Sequence, residues 1–468
     1  MSVEVLTTIS PSTNRPILSR TGLFDSDIAL LPQTAAKAFE RYRNTSLSQR
    51  RTIVKKALEI LASKTDELAR ELTEQMGRPI AYTAKEIATA VKRGEYLLKI
   101  SEESLADTPG EKETGFKRYI KKEPVGPVLI LFAWNYPYLI LVNSLIPALL
   151  SGNSVILKPS PQTPTIVEHM QSIFAEAGLP PKVLQYFHCG TQDRLNSLIH
   201  DPAIKLICFT GSVANGVNIQ KAAADRVIPV ALELGGKDPA YIRKDVDLKW
   251  AAEEIVDGAI FNSGQSCCSV ERVYVDVKIH DAFVKAVQNV LSGYKLGDPM
   301  DPKVHVGPVI SKKSLATIEE HIQEAIELGA IDETPKNESF ENPPAGGNYV
   351  KPTLLTGVTH EMKVMREETF GPVIPVMKVH SDEEAVRLMN DSDLGLTASI
   401  WTKDVALGEK LAQSVEAGTV FVNRCDFPSP DLAWTGWKDS GKGVTLSRFG
   451  FEQFVKLKSL HVKDYPKL

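Results

Sequence analysis

Cysteine is scarce in this chain. Its 468 residues include five, Cys189, Cys208, Cys267, Cys268 and Cys425, an odd number with no C-x-x-C pair. That pattern argues against a disulfide framework and a structural zinc site, so no metal is expected. A reducing compartment, the cytoplasm, suits it best. Surplus charge is missing too: 54 Lys and Arg against 58 Asp and Glu leave a formal net charge of −4. Binding phosphates needs a concentrated basic surface, so no nucleic-acid partner is expected. The opening MSVEVLTTISPSTNRP has neither a basic start nor an apolar run, and no secretory signal is read there.

An unbroken hydrophobic span is also lacking. Residues 125–157 are strongly apolar and long enough for a membrane. Yet Pro127, Pro137 and Pro147, with Asn135 and Asn143, interrupt the run and would leave polar groups unpaired in lipid. The segment reads as a buried strand, a turn and a buried helix, with no membrane role. Repeats and low-complexity tracts are absent.

What is present is alternation. A chain of this length exceeds one small core, so two or three domains are expected. The first hundred residues read as helices: 48–76 place Ile53, Ala57, Leu61, Leu68 and Leu72 at helical spacing, and Gly77-Arg78-Pro79 stops the run. A charged segment, 111–123, follows. Buried strands are then expected at 128–132 and 154–157, a helix at 164–177 closed by Gly178, and short strands at 184–187, 206–209 and 227–232. A second series follows Gly235: a helix at 249–261, a strand at 272–277, a helix after His280, a polar insertion at 333–348, a strand near 373–379 and a helix at 383–390. Strands separated by helices imply βαβ units and parallel sheets covered on both faces. The fold class is α/β, two doubly wound parallel-sheet domains with a ligand cleft between them.

The most informative stretch is FNSGQSCCS, residues 261–269. Gly264 permits a tight turn after a helix, which can hold the following thiol at a cleft edge. A thiol with a reference pKa of roughly 8.5 is a few per cent thiolate at neutral pH and strongly nucleophilic. Alone, two adjacent cysteines suit buried packing; their context favours chemistry. Glu233 ends an apolar strand beside Gly235 and Gly236, where a carboxylate is costly to bury without a task or a partner. Asn135 follows another strand and offers an amide donor of the kind an oxyanion requires. Gly211 and Ser212 open a helix, whose backbone donors suit phosphate.

These motifs together resemble the aldehyde dehydrogenase superfamily, in its hydrolytic, non-acylating form. The resemblance runs in order through EPVGPV (123–128), AWNYP (133–137), GNSVILKPSPQTP (152–164), FTGS (209–212), LELGGK (232–237), FNSGQSC (261–267), EETFGPV (367–373) and GWKDSGKG (436–443). It implies that Cys267, rather than Cys268, is the nucleophile and forms a thiohemiacetal with an aldehyde. Asn135 and the Cys267 backbone N–H would stabilise the oxyanion, a donor whose loss costs about 3 kcal/mol. Hydride transfer to a nicotinamide would leave a thioester, hydrolysed by water that Glu233 activates as general base. The implied cofactor is NAD or NADP. Lys158 would reach the adenosine ribose with Ser160 and Pro161 beside it, and Gly211 and Ser212 would meet the pyrophosphate. Glu368 would hold the nicotinamide ribose, with Phe370 and Trp134 near the ring.

Three positions depart from the family. Pro161 stands where an acidic residue bonds the ribose hydroxyls; without that carboxylate a 2′-phosphate is not repelled, so NADP should be tolerated. Thr445 matches the position of a proton-relaying glutamate, leaving Glu233 to exchange its proton with water. Asn143 replaces an aromatic of the aldehyde tunnel. The other tunnel candidates are Tyr136, Cys268, Asp426, Phe427, Trp434 and Trp437. Their rings suit an aromatic or medium-chain aldehyde; Asp426 among them would suit an aminoaldehyde, and a semialdehyde stays open. Arg424 would suit an anionic substrate, but near a helix end an arginine reads first as one half of a surface salt bridge. An acylating reductase shares the cysteine, but Glu233 would waste its acyl group; a non-catalytic scaffold would not keep the three groups together.

The domain division expected from the resemblance is Rossmann-like. Residues 1–110 and 123–234, with part of 426–446, would bind the cofactor, and 235–425 would be catalytic. Residues 111–122 and 447–468 would form a β-arm for a homodimer or homotetramer, its strands lying at 114–122 and 454–462.

Overall fold

The computed structural model describes residues 4–465. The outermost residues of the first and last expected segments, 1–3 and 466–468, lie outside the described residues.

The N-terminal region departs from the all-helical expectation. It opens with an antiparallel hairpin, Val5–Ile9 against Pro16–Thr21. Its alternating β-branched residues outweigh a helical reading. Four helices follow, Asp25–Tyr42, Leu47–Ser63, Thr65–Met76 and Ile80–Leu105. The single helix expected over 48–76 is two, meeting at Lys64. The first begins in a capping box, with Ser46 accepting from the Gln49 N–H and the Gln49 side chain returning to Ser46. The second ends at Gly77, whose φ of 82° is the left-handed value glycine adopts without strain.

Two sheets organise the rest. In the first, five parallel strands lie in the order Leu184–Tyr186, Val155–Lys158, Val128–Leu131, Leu206–Thr210 and Val230–Glu233. By chain order this is 3-2-1-4-5, the dinucleotide-binding arrangement. Gly441–Lys442 adds an antiparallel edge beside Glu233 and Leu232. The strand expected at 227–232 starts only at Val230, and Val227 is fully exposed. The central strand Val128–Leu131 is entirely buried because helices cover both faces.

The second sheet has seven strands, ordered Ile331–Asp332, Thr353–Thr356, Val373–Val379, Val270–Asp276, Asp238–Ile242, Thr397–Trp401 and Thr419–Val422. All its pairings are parallel except that of Ile331–Asp332 with its neighbour. The chain passes from the first sheet to an interior strand of the second between Glu233 and Asp238. Both are α/β with mostly parallel strands, as the alternating pattern implies. The polar insertion at 333–348 carries only a four-residue helix, Glu338–Glu341.

A third, antiparallel sheet stands apart. Val455–Lys463 pairs along its length with Phe116–Pro124, which also pairs with Thr108–Pro109. The strand placed at 114–122 thus runs on to Pro124. Just before Val455, Phe451 and Phe454 are buried in the core of the first sheet, so residues 449–454 anchor the arm rather than belonging to it. Among the described residues no helix is long and apolar enough to cross a membrane.

Candidate active site

In a 3-2-1-4-5 sheet the chain leaves the strands in opposite directions at the Val128 and Leu206 strands, opening a crevice at their carboxyl ends. The segment after Leu131 carries Trp134, Asn135 and Tyr136 into it, before the helix Pro137–Leu150 begins. After Thr210, Ser212 caps the helix Val213–Ala222, its Oγ accepting from the Asn215 N–H at 3.4 Å. Glu233 arrives at the end of the next strand.

The thiol comes from the second sheet. Asn262, Ser263 and Gly264 take φ values of 55°, 58° and 71° in succession, a left-handed turn that folds the chain back before Cys267. Any Cβ at Gly264 would lie 2.1 Å from the Gly371 carbonyl oxygen, so only glycine fits. Two non-glycine residues at positive φ store strain, which the surroundings must hold. They do so through buried polar contacts. Gln265 Oε1 accepts from the Ile310 N–H at 2.8 Å and its Nε2 donates to the Asn262 carbonyl at 3.1 Å. Arg78, 1 % exposed, donates from Nε to Asn262 Oδ1 at 3.1 Å, from Nη2 to the Asn135 carbonyl, and pairs with Glu86. Its guanidinium lies over the Tyr136 ring, 4.3 Å from the centroid. Glu86 in turn accepts from the Tyr138 N–H at 2.9 Å, at a helix N-terminus where negative charge is favoured.

The two adjacent thiols differ. Cys268 is buried, donates to Asp426 Oδ1 at 2.9 Å, and its pKa is held well above the usual thiol value by Cys267, by burial and by the Asp426 carboxylate. Ser266 Oγ donates to the same oxygen at 3.0 Å. Asp426 therefore pins both neighbours of Cys267, while Cys267 itself is half-buried and faces two cavities. Asn135 donates from Nδ2 to the Gln265 carbonyl at 3.3 Å, which sets its amide against the same loop.

Glu233 accepts from Thr445 Oγ1, and at 3.4 Å from Thr210 Oγ1. Burial raises its pKa; the Thr445 hydroxyl, the charge of Arg93 and the Thr210 hydroxyl pull it back. A carboxyl tuned upward is the type of group that takes a proton from water near neutral pH. Thr445 thus holds Glu233 through its hydroxyl, and its backbone makes two hydrogen bonds of 2.9 Å with Trp434.

The two cavities, of about 430 and 270 Å³, meet at Asn135, Ile140, Thr210, Glu233, Leu234 and Cys267. The larger is lined by Trp134, Lys158, Ser160, Pro161, Gly211, Ser212, Glu368 and Phe370. Burial lowers the pKa of Lys158. Gly211 leaves a cradle that a Cβ would fill, 2.6 Å from the Phe209 ring. Glu368 accepts from the Gly236 N–H at 3.2 Å, and burial beside Glu271 pushes its pKa up to about 8. Phe370 meets Trp134 edge-on at 5.8 Å. A shaped cleft at the carboxyl ends of such a sheet, with a helix N-terminus and a lysine, fits a dinucleotide. Glu271, which accepts from the Thr369 and Phe370 N–H groups at 2.8 Å each and pairs with buried Lys237, sets that loop.

The sequence profile of the aldehyde dehydrogenase family matches residues 2–460. The chain belongs to the aldehyde dehydrogenase family. It is 33 % identical over 417 residues to a probable betaine aldehyde dehydrogenase of Schizosaccharomyces pombe, covering 88 % of this chain and 82 % of that protein. With an NADP(+) succinate-semialdehyde dehydrogenase of Mycobacterium ulcerans it shares 30 % identity over 98 % of this chain and 99 % of the other. The crystal structure of an NAD-dependent aldehyde dehydrogenase from Sinorhizobium meliloti superposes with a TM-score of 0.93 at 28 % identity, covering 99 % and 92 % of the two chains.

Within this aldehyde dehydrogenase the smaller cavity is lined by Tyr136, Asn143, Cys268, Asp426, Phe427 and Trp434. Trp437 is not among its lining residues: it is half exposed and sits in a two-residue strand paired with Leu394–Gly395. Arg424 makes no salt bridge among the described residues; it stacks on the Phe427 ring at 3.6 Å. Four residues of the site escaped the motifs: Arg78, Glu86, Arg93 and Glu271. The only signal for the first was its place in Gly77-Arg78-Pro79, and buried charges spread over separate elements leave no local pattern.

Proposed function

We propose that this aldehyde dehydrogenase oxidises an aldehyde to its carboxylic acid through a covalent adduct on Cys267. The observation that carries this reading is the junction of the two cavities, where Cys267, Asn135 and Glu233 converge. The Cys267 thiolate adds to the aldehyde carbon, and the carbonyl electrons move to oxygen. The Asn135 amide and the Cys267 N–H stabilise that oxyanion. A nicotinamide dinucleotide in the larger cavity supplies the hydride acceptor, with Lys158, Ser160, Gly211, Ser212, Glu368 and Phe370 holding it. Loss of hydride leaves a thioester on Cys267. Glu233 then takes a proton from water, the hydroxide adds to the acyl carbon, and the carbon–sulfur bond breaks to release the acid.

Either dinucleotide fits. The carboxylates lining the larger cavity, Glu233 and Glu368, lie at its active-site end, and at the other end Pro161 beside Lys158 puts no carboxylate in the lining to repel a 2′-phosphate. The relatives' names, one NADP-linked and one NAD-linked, support the same breadth. On the substrate they point in opposite directions, since a betaine aldehyde is cationic and a succinate semialdehyde anionic. The aromatic lining suits a short aromatic or medium-chain skeleton. An acylating reaction is disfavoured by Glu233 at the junction.

The first sheet and its helices bind the cofactor, the segment 235–425 supplies the thiol, and the enzyme acts in the cytoplasm as a homodimer or homotetramer. The free edge of Val455–Lys463, with Leu457 and Val462 exposed, supports assembly. A panel of aldehydes assayed with NAD and NADP, before and after thiol alkylation, tests the whole reading. NAD(P)H production that survives complete alkylation of Cys267 would end it.

A further inference from the structure

The helix Ile80–Leu105 forms one wall of the smaller cavity with Tyr82, Lys85, Glu86, Thr89 and Arg93. Their spacing from Tyr82 (three, four, seven and eleven) puts them on one helix face. Lys85 lies exposed at one end of that row, and Arg93, two turns further along, is 6 % exposed.

Arg93 differs from the other guanidinium in this cavity. Arg78 is paired with Glu86. Arg93 makes no ion pair among the described residues; it donates from Nη1 to Asn143 Oδ1 at 2.9 Å and from Nη2 to the Pro428 carbonyl at 3.2 Å, both neutral acceptors. Burial lowers its pKa to about 10, which still leaves a cation at neutral pH. A buried guanidinium with no carboxylate in contact is costly, and a cavity beside it invites one from outside the protein. The carboxylates lining this cavity are engaged elsewhere: Glu86 by Arg78, Glu233 by Thr445 and Thr210, Asp426 by Ser266 and Cys268. Lys85, over the Tyr82 ring at 5.7 Å, makes no ion pair among the described residues, and Arg424 stacks on cavity-lining Phe427. Glu233 is near enough for its charge to raise the Arg93 pKa, but no carboxylate among the described residues is hydrogen-bonded to the guanidinium, which leaves it open to an anion in the cavity. Asn143, an amide in place of a ring, accepts from Arg93 and keeps two N–H donors of its own.

We propose that Arg93, oriented by Asn143, binds a carboxylate at the end of the aldehyde substrate remote from the reacting carbonyl. The inference rests on the assignment of Cys267 as nucleophile, and it narrows the substrate to short aldehydes with an anionic tail. A cavity of about 270 Å³ accommodates a few carbons or one ring between the two groups.

The test compares matched pairs, 4-oxobutanoate with its methyl ester and 4-carboxybenzaldehyde with methyl 4-formylbenzoate, on wild type, Arg93→Gln and Arg93→Lys. The expected result is at least one acid favoured over its ester about 10-fold or more in kcat/KM. Arg93→Gln should lose about 100-fold on the acid, mostly in KM, and only about 5-fold on the ester, there in kcat because Glu233 loses a charge that lowers its pKa, while Arg93→Lys recovers part of both losses. Calorimetric titration with glutarate reads the anion site without catalysis, and binding should vanish in Arg93→Gln. Equal turnover of acid and ester, equal loss on both, or glutarate binding indifferent to Arg93 would overturn the proposal. A wild type that binds glutarate through Arg93 yet oxidises no aldehyde would instead overturn the reading of Cys267.

Discussion

The two cavities that meet at Cys267 are built differently. The larger draws its lining from segments that continue the first sheet's strands, Phe132–Asn135, Lys158–Pro161, Phe209–Ser212 and Glu233–Gly235, with two loops from the second sheet, at Cys267 and at Glu368–Phe370. The smaller is assembled from a remote helix, the 137–150 helix, the cysteine loop and the 426–434 segment. A sheet edge fixes the first by backbone hydrogen bonds, so its shape follows the strand order. The second depends on side chains meeting across elements, and its character can change with a few residues. The first suits a cofactor common to many relatives, the second a substrate that differs among them.

Breaking the junction should cost most. Cys267→Ser is expected to lower kcat by about 10⁴-fold or more, since a nucleophile has no substitute nearby. Cys268→Ser should stay within a few-fold, because its thiol is committed to Asp426; steady-state NAD(P)H production separates them. Asn135→Ala removes one oxyanion donor and should cost about 10²–10³-fold in kcat, with cofactor affinity unchanged by fluorescence titration.

The next two sharpen the contrast. Pro161→Glu restores a carboxylate in the larger cavity and should reduce kcat/KM for NADP about 10-fold or more, with NAD within a few-fold. No turnover with NADP in the wild type would remove the basis of that prediction. Thr445→Val takes away a hydrogen bond that lowers the pKa of Glu233. Because Glu233 must be ionised to act as a base, the acidic limb of the kcat–pH profile should move to higher pH. Activity at pH 7 should fall about five-fold, and Thr445→Ser should restore the profile. An unmoved limb would mean that Glu233 does not set it.

Much of the site was legible because it rides on local grammar. Glu233, Asn135, Gly211 and Ser212 stand at strand ends or a helix start, and Gly264 marks the turn before Cys267, so short motifs and the family resemblance they carry point to them. Trp437 shows the converse: it lies inside the motif GWKDSGKG, yet its two-residue strand turns it outward, away from the tunnel. Arg424 misled because charge was weighed without its neighbour, and Phe427 supplies a ring to stack on. The N-terminal hairpin was hidden by the helices that follow it.

By itself the sequence determined the α/β class, the family, and the thiol, amide and carboxylate that line the junction of the two cavities, since each lies within a short motif whose backbone geometry is local. Only the tertiary structure decided that Arg78 and Glu86 cancel while Arg93 stays unpaired, that Asp426 fixes both neighbours of Cys267, and that Thr445 holds Glu233. The physical reason is that a buried charge takes its meaning from its partners. Those partners come from elements dozens to hundreds of residues apart, which only folding brings within hydrogen-bond reach.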